Sequence, residues 1–153
     1  MGVSCSELEE QKVQLVICRI DAPYYAFYGE RIKEIVTVGE MTYIPGVPEY
    51  LRGVINLRGE IESVLDLRKA FSLPPHPDTK RSRILIGEAQ NLRSGVLVDA
   101  VEDVLEIPEK HIQKPGTVSV SALTPYVVGA STYQEHDLFI LDLGGIFEQL
   151  LHY

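Results

Sequence analysis

The stretch GVINLRGEIESVLDLRKAF, from Gly53 to Phe71, has a counterpart later in the chain, GASTYQEHDLFILDLGGIF, from Gly129 to Phe147. The first glycine, a Leu-Asp-Leu triplet and the last phenylalanine fall at the same places in both, 76 residues apart. In the first stretch, two short apolar runs flank a polar turn and predict a β-hairpin. Aspartate is a favoured N-cap residue, so a short helix is expected after each triplet.

A second pair of segments matches at a similar offset. Ala26 to Val36 and Gly95 to Leu105 agree in their apolar and acidic positions, 69 residues apart. Each half of the chain therefore reads as strand, turn, strand, loop, hairpin, Leu-Asp-Leu and short helix. This order indicates an ancient duplication that gives two small β-barrels packed together. The alternative is a coincidence among leucine, aspartate and glycine, which are common residues.

The remaining elements are predicted from local pattern. Ile32 and Ile35, three residues apart, suit a helical turn before a strand at Val36 and Val38. The stretch from Ser72 to Lys80 holds three prolines and is the clearest linker. The strands expected outside the first hairpin are Val13–Ile20, Tyr24–Tyr28, Arg83–Ile86, Gly95–Asp99, Val118–Ala122, Tyr126–Val128 and Leu138–Leu141. The two helices are expected at Leu67–Phe71 and Leu143–Leu151, capped by Asp66 and Asp142.

Composition narrows the function classes. The 153 residues carry a net charge of −8, which disfavours general binding to nucleic acid. No apolar run approaches the roughly 18 residues that a membrane span needs. The two cysteines form no CxxC motif, which excludes a disulfide scaffold or a thiolate zinc site and favours free thiols in a cytosolic protein. The chain has no tryptophan, so the core is expected to be chiefly valine, isoleucine and leucine.

No catalytic set emerges from the residues. None of the four histidines stands at metal-ligand spacing from another ligand, and no nucleophile elbow or phosphate loop occurs. Asp99 and Asp103 could form a carboxylate pair for acid–base work, but a solvated acidic face of a helical turn is the stronger interpretation. We therefore expect no enzyme, no metal and no cofactor.

Two surface features remain. The first is a rigid proline-containing loop from Ile44 to Gly53 that leads to Arg58, a planar donor fork at a hairpin turn. Gly53 and Gly59 would let a partner backbone approach closely. The alternative is that both glycines only permit turns and that Arg58 pairs internally with Glu60 or Glu62.

The second feature is the basic cluster Lys80-Arg81 with Arg83, beside the proline-rich linker. It is either a solubility feature or a small contact for an acidic partner.

From about Val13 to about Leu151, the sequence resembles the CheW family of bacterial and archaeal chemotaxis coupling proteins. The segments that carry the resemblance are Ile44–Ile61, Asp66–Arg68, Gly95–Leu105 and Leu138–Leu143. It implies an all-β fold with short helices, in which two five-stranded SH3-like β-barrels pack together.

The expected domain organisation follows from the resemblance and the repeat. Residues 1–12 are expected to form a flexible N-terminal tail, and residues 13–151 a single CheW-like domain. That domain would contain two barrel subdomains, about 13–71 and 82–151, with exchange of chain between them allowed. Residues 72–81 form a proline-rich connector.

The resemblance also implies a function. Family members are non-catalytic adaptors that bridge the cytoplasmic tip of a methyl-accepting chemoreceptor to the regulatory domain of the histidine kinase CheA. The chain is then expected in the cytoplasm, recruited to membrane-associated receptor arrays without inserting into the membrane. The alternatives are an adaptor of a twitching or developmental pathway, and a small β-barrel hydrolase or ligand-binding protein with a pocket near Asp99 or His136.

Matching positions imply site residues. Those expected at the receptor and array contact are Arg58, Gly53, Val54 and Val104, the last three lining a groove between the barrels. Those expected near the kinase contact are Ile32 and Glu34. The sequence departs from the family pattern at Ser63, where proline is common, and at Arg83, where an apolar residue is usual. Both departures could change partner choice.

Overall fold

The computed structural model describes residues 11–20, 23–116 and 121–151. Most of the predicted N-terminal tail, the turn at Asp21-Ala22 and most of the strand predicted at Val118–Ala122 lie outside these residues. The strands of the described part are β1 (Lys12–Arg19), β2 (Tyr24–Tyr28), β3 (Ile32–Thr37), β4 (Leu51–Leu57), β5 (Glu60–Asp66), β6 (Arg83–Ala89), β7 (Leu92–Val98), β8 (Ala100–Pro108), β9 (Val127–Tyr133) and β10 (His136–Leu141). The helices are α1 (Leu67–Ala70) and α2 (Leu143–Leu150), with 3-10 turns at Gly29–Arg31, Glu109–His111 and Thr124–Tyr126.

The strands form two five-stranded sheets. The order is β8-β1-β2-β10-β9 in the first sheet and β3-β6-β7-β5-β4 in the second. This arrangement, with few short helices, confirms the predicted fold class. The ranges 13–71 and 82–151 each contribute strands to both sheets. The division between the sheets therefore does not fall at the connector 72–81.

The two sheets are built alike. Each contains two antiparallel strands from one half of the chain and three strands from the other half. The joins between halves also correspond, because β10 runs parallel to β2 and β5 runs parallel to β7. At these joins Ile140 is opposite Ala26, and Val64 is opposite Gly95. The matching topology supports the duplication inferred from the sequence.

Each sheet is closed by one short bridge. Thr42, beyond the end of β3, exchanges two backbone hydrogen bonds with Val54 of β4, at 2.8 and 3.0 Å. Gln113, beyond the end of β8, exchanges two with Ala130 of β9, both at 2.8 Å. Because these bridges join the outermost strands, each sheet curves back on itself as a small barrel.

Side-chain alternation along the strands divides the core into three parts. Leu15 and Ile17 lie inside the first sheet, while Ile84 and Ile86 lie inside the second. The outer faces of both sheets and helix α2 form one larger shared core. Its largest buried side chains include Tyr25, Phe27, Phe147, Leu65 and Leu85. The expectation of a chiefly aliphatic core holds inside the sheets, but aromatic rings lie at the centre of the shared core.

Two predicted helical turns are wrong. The residues from Ile32 to Thr37 form β3, and the 3-10 turn lies just before it at Gly29–Arg31. The acidic segment after Asp99 forms β8 and pairs with β1, with Val104 opposite Val16. In both places the i, i+3 spacing of apolar residues suits a helix, but pairing with a neighbouring strand determines the conformation.

The two aspartates predicted as N-caps differ in their hydrogen bonding. The Asp66 carboxylate accepts hydrogen bonds from the backbone N–H groups of Arg68 and Lys69, at 3.0 and 3.3 Å. Asp142 stands at the N-cap of α2, but its side chain makes no capping hydrogen bond. The sequence therefore predicted the position of both caps, and the hydrogen bonding of the first alone is confirmed.

Candidate functional site

Arg58 and Glu34 form a two-point ion pair on the surface of the second sheet. Arg58 Nη1 donates to Glu34 Oε1 at 2.8 Å, and Nη2 donates to Oε2 at 2.6 Å. The Arg58 side chain is 73% exposed and the Glu34 side chain 28%. The pair brings together two residues that the sequence assigned to different partners.

The turn and the barrel closure place these two side chains. Arg58 and Gly59, the turn between β4 and β5, have φ angles of 53° and 90°, and the Gly59 N–H donates to Asn56 Oδ1 at 2.8 Å. The bridge between Thr42 and Val54 draws β4 against the segment that follows β3. Arg58 can therefore reach Glu34 in β3. Its guanidinium lowers the pKa of the Glu34 carboxyl, and the carboxylate raises the pKa of Arg58.

The alternative that Arg58 pairs internally with Glu60 or Glu62 is wrong about the partner, because its internal partner is Glu34. Glu62 is buried and accepts a hydrogen bond from Arg93 Nε at 2.8 Å. Arg93 also donates to Glu88 at 2.7 Å, and its two carboxylate partners raise its pKa. Glu62 is therefore engaged by Arg93, and Glu34, the residue more distant in sequence, is the partner of Arg58.

Gly53 has a structural role in the closure. It is buried with a φ of 156°, and a Cβ atom there would lie 2.7 Å from the carbonyl oxygen of Thr42. The backbone that approaches Gly53 is thus that of the chain itself. Any larger side chain would push Thr42 away from β4 and disturb the bridge.

The other predicted site residues are distributed over both sheets. Val54 lies in β4, is half-buried, and forms the closing bridge with Thr42. Val104 lies in β8 of the first sheet and is 44% exposed. Ile32 begins β3 opposite Gly87 and packs against the shared core, so it is largely turned from solvent. The structure therefore groups Arg58, Glu34 and Val54 on the second sheet, and places Val104 on the first.

The connector joins the two sheets through ion pairs that sequence reasoning missed. Arg52 in β4 pairs with Asp78 of the connector at 2.6 Å. Arg81 at the end of the connector pairs with Glu102 in β8 at 2.8 Å. Each pair links residues more than twenty positions apart, so no local pattern could have found it.

A third anchor lies at the middle of the connector. Arg68 of α1 donates to the Pro74 carbonyl and to both carboxylate oxygens of Asp99, the residue where the chain passes from β7 to β8. His76 Nδ1 lies 3.7 Å from Asp99 Oδ1. The linker predicted from its prolines is thus an ordered strap held to both sheets.

The two departures from the family pattern have structural explanations. Ser63 Oγ lies 2.7 Å from Ser94 Oγ, and Ser94 also donates to the Ser63 carbonyl at 3.2 Å, which joins β5 to β7. Arg83 does not insert into the core. Its Nη1 donates to the carbonyl oxygens of Lys80 and Ser82, at 2.7 and 2.8 Å, and so folds back on the connector.

The acidic residues considered for catalysis have separate partners. Asp99 pairs with Arg68, whereas Asp103 accepts a hydrogen bond from Tyr133 Oη at 3.2 Å. No group of three or more histidine, cysteine, aspartate or glutamate side chains suitable for a metal ion occurs in residues 11–20, 23–116 and 121–151. Within the same ranges, no helix has the length and apolar character to cross a membrane.

Comparison with known proteins decides the family. A family model described as a CheW-like domain matches residues 14–151. The chain belongs to the CheW-like domain family. A CheW-like chain of known structure, the scaffolding protein TtCheW from Thermoanaerobacter tengcongensis, is 29% identical. That alignment covers 96% of this chain and 94% of the other, with a TM-score of 0.79.

Two chemotaxis proteins are also similar to this chain in sequence. The chemotaxis protein CheW of Bacillus subtilis is 34% identical over 100 residues, which cover 65% of this chain and 64% of the relative. The probable chemotaxis protein CheW of Rhizobium etli is 26% identical over 149 residues, which cover 97% of this chain and 96% of the relative.

Membership of the CheW family confirms the expected function as a chemotaxis coupling adaptor. The family is one of non-catalytic scaffolds that associate with components of chemotaxis arrays.

Proposed function

We propose that this chain couples methyl-accepting chemoreceptors to the histidine kinase CheA as a non-catalytic adaptor of the receptor array. It binds the cytoplasmic tip of the receptor and the regulatory domain of CheA, and is recruited to the membrane through the receptor. The observation that carries the proposal is the Arg58–Glu34 pair, an exposed two-point ion pair in a CheW-like chain.

The pair is suited to recognition because it is already ordered. Arg58 stands on a two-residue turn that a hydrogen bond from Gly59 to Asn56 supports. Its guanidinium uses one edge on Glu34 and leaves most of its surface exposed to solvent. A partner that binds this surface orders few side chains, so little conformational entropy opposes binding.

We assign the receptor contact to Arg58, Val54 and Val104. Val54 and Val104 supply apolar surface and Arg58 a polar anchor, which suits a helix that docks its apolar face. Gly53 acts indirectly, through the bridge between Thr42 and Val54. Weak contacts suffice for this role, since an array binds each adaptor through several partners at once.

We assign the kinase contact to the β3 region, which contains Ile32 and Glu34. Because Glu34 pairs with Arg58, the kinase and receptor surfaces meet at this pair. A receptor that pulls on Arg58 would change the surface that the kinase contacts. Coupling then needs no enzymatic step in the adaptor itself.

The test measures binding of the purified chain to a chemoreceptor cytoplasmic fragment and to a CheA regulatory domain by calorimetry, at tens of micromolar. Val104→Asp is expected to weaken receptor binding at least tenfold, because it places a charge on the apolar contact surface. Val128→Asp is the matched control. Val128 lies in β9 of the same sheet, and the two valines are similarly exposed, 49% and 44%.

We expect the Val128→Asp chain to bind both partners as the unmodified chain does. Circular dichroism should show that both variants fold, since each replaced valine is nearly half exposed and neither belongs to the buried core. An unmodified chain that bound neither partner would refute the coupling function. If both variants lost receptor affinity equally, the assignment of Val104 to the receptor contact would be refuted, and the coupling function would stand.

A further inference from the structure

The basic end of the connector forms an ordered turn, Thr79–Arg83, here called the basic turn. The Thr79 N–H donates to Ser82 Oγ at 2.9 Å, and the Ser82 N–H donates to the Thr79 carbonyl at 3.1 Å. The Arg81 N–H donates to Thr79 Oγ1 at 3.1 Å. With the two bonds from Arg83 to backbone carbonyls, these contacts hold the turn in one conformation.

The basic turn carries more positive charge than its surroundings neutralise. It presents Lys80, Arg81 and Arg83, and the carboxylate that pairs with them in the described residues is that of Glu102, on Arg81. The Arg81 side chain is still 66% exposed, and Lys80 is exposed. In a chain with a net charge of −8, such a cluster is a local exception.

The position of the turn relates it to the proposed receptor contact. Asp78, the residue before the turn, pairs with Arg52, two positions before Val54 in β4. Arg81 pairs with Glu102, two positions before Val104 in β8. The basic turn is therefore tied to both strands that carry the apolar contact residues, one on each sheet.

We propose that the basic turn binds an acidic segment of the same receptor helix that docks on Val54 and Val104, and so selects receptors by charge. This inference rests on the proposed function. Charged groups at the rim of an interface steer association and exclude partners of the wrong charge. An ordered turn performs this role well, because its charges are already fixed in place.

The charge count favours a protein partner over a membrane surface. Basic segments that bind anionic lipid commonly hold four to eight lysines and arginines. The basic turn has three basic residues. Of these, Arg81 forms an ion pair with Glu102, and Arg83 donates hydrogen bonds to backbone carbonyls. A single acidic stretch of a helix matches this small patch.

The test compares Lys80→Glu with Lys114→Glu, which makes the same change of charge at an exposed lysine next to the other closing bridge. Binding of a chemoreceptor cytoplasmic fragment is measured by calorimetry at low and at high salt. Lys80→Glu is expected to weaken binding about 5- to 10-fold at low salt, and less at high salt because the charges are screened. Lys114→Glu is expected to change the affinity less than about twofold. Replacing the facing glutamate or aspartate of the receptor fragment with lysine should restore binding to the Lys80→Glu chain.

The possible results separate this inference from the proposed function. Loss with Lys80→Glu alone, restored by the charge exchange, supports the inference. Normal binding by Lys80→Glu, or equal loss in both variants, overturns it and leaves the proposed function standing. If the unmodified chain does not bind the fragment, the proposed function fails and this inference fails with it. If Lys80→Glu loses binding to phosphatidylserine vesicles and keeps its affinity for the fragment, the turn contacts lipid, and the inference is overturned.

Discussion

Arg58, at the turn between β4 and β5, holds both carboxylate oxygens of Glu34, 24 residues earlier in β3. The pair spans the closing seam of the second sheet, and both residues belong to the proposed partner surface. Its exposure indicates a small contribution to the free energy of unfolding, because exposed ion pairs are screened by water and salt. Its more important role is to fix the direction of the Arg58 side chain.

Arg58→Glu should therefore leave the fold intact and weaken receptor binding, since it places two carboxylates together and removes the cation. Exchange of the two residues, in the double variant Arg58→Glu with Glu34→Arg, restores the pair with opposite polarity. We expect the double variant to recover the thermal midpoint and not the binding, as measured by calorimetry. Recovered binding would mean that the partner senses the geometry of the turn and not the cation itself. A large fall in the melting temperature of Arg58→Glu would instead mark Arg58 as a stabilising residue.

The pKa of Glu34 offers a direct test of the pair in solution. Two hydrogen bonds from Arg58 lower it below the ordinary value of 4.5, so the contribution to stability is present above the pKa of the unfolded chain. This contribution is lost as the pH falls through the lower pKa of the folded chain. Nuclear magnetic resonance titration of the Glu34 carboxyl should show a midpoint below 4.5 in the unmodified chain. In Arg58→Ala the midpoint should rise toward 4.5. An identical midpoint in both chains would show that the pair does not form.

The caps of the two helices should respond differently to the same substitution. Asp66→Ala removes two hydrogen bonds to the first turn of α1 and should lower the free energy of unfolding by about 1 kcal/mol. Asp142→Ala removes no capping bond and should cost less than half as much. Asp66→Asn keeps a capping oxygen and should recover most of the loss. Urea denaturation followed by circular dichroism measures all three, and equal costs for the two alanine variants would contradict the assignment.

Cys18 should be inert in the folded chain. Its side chain is fully buried in the shared core, and burial raises the pKa of the thiol, with the carboxylates of Asp99 and Glu102 raising it further. Thiolate is the reactive form, so reaction with Ellman's reagent requires unfolding. In a Cys5→Ser variant, which leaves Cys18 as the single thiol, we expect no colour in native buffer near neutral pH and full colour in denaturant. Rapid reaction of the folded variant would place Cys18 at the surface.

The strands could be predicted because their signal is local. Tyr24–Tyr28 and the hairpin around Arg58 follow from apolar alternation and a tight turn, and the structure has both. The conformation of Ile32–Thr37 is harder to predict, because the spacing of Ile32 and Ile35 fits a helix as well as a strand. The neighbouring strand β6 decides the conformation there, and its pairing with β3 cannot be seen in a window of a few residues.

The partners of charged side chains could not be predicted for a related reason. Glu60 and Glu62 are near Arg58 in sequence, but the barrel closure at Thr42 and Val54 brings Glu34 to it instead. The resemblance to a known family pointed to Arg58 and Glu34 as expected contact residues. Their contact depends on how the sheet closes, as do the anchors of the connector.

The division of strands between the halves has a consequence for how the molecule forms. Neither half can complete a sheet, because β1 and β2 need β8 to β10, while β6 and β7 need β3 to β5. The first barrel forms only when β8 to β10 reach β1 and β2 from the other end of the chain, and its outer face shares one core with the second barrel, so we expect cooperative, all-or-none folding. In the duplication inferred from the sequence, a single repeat would have faced the same requirement, and two copies could have completed both sheets by exchanging strands. Fusion of two such copies would place all ten strands in one chain, with the connector as the peptide between the copies.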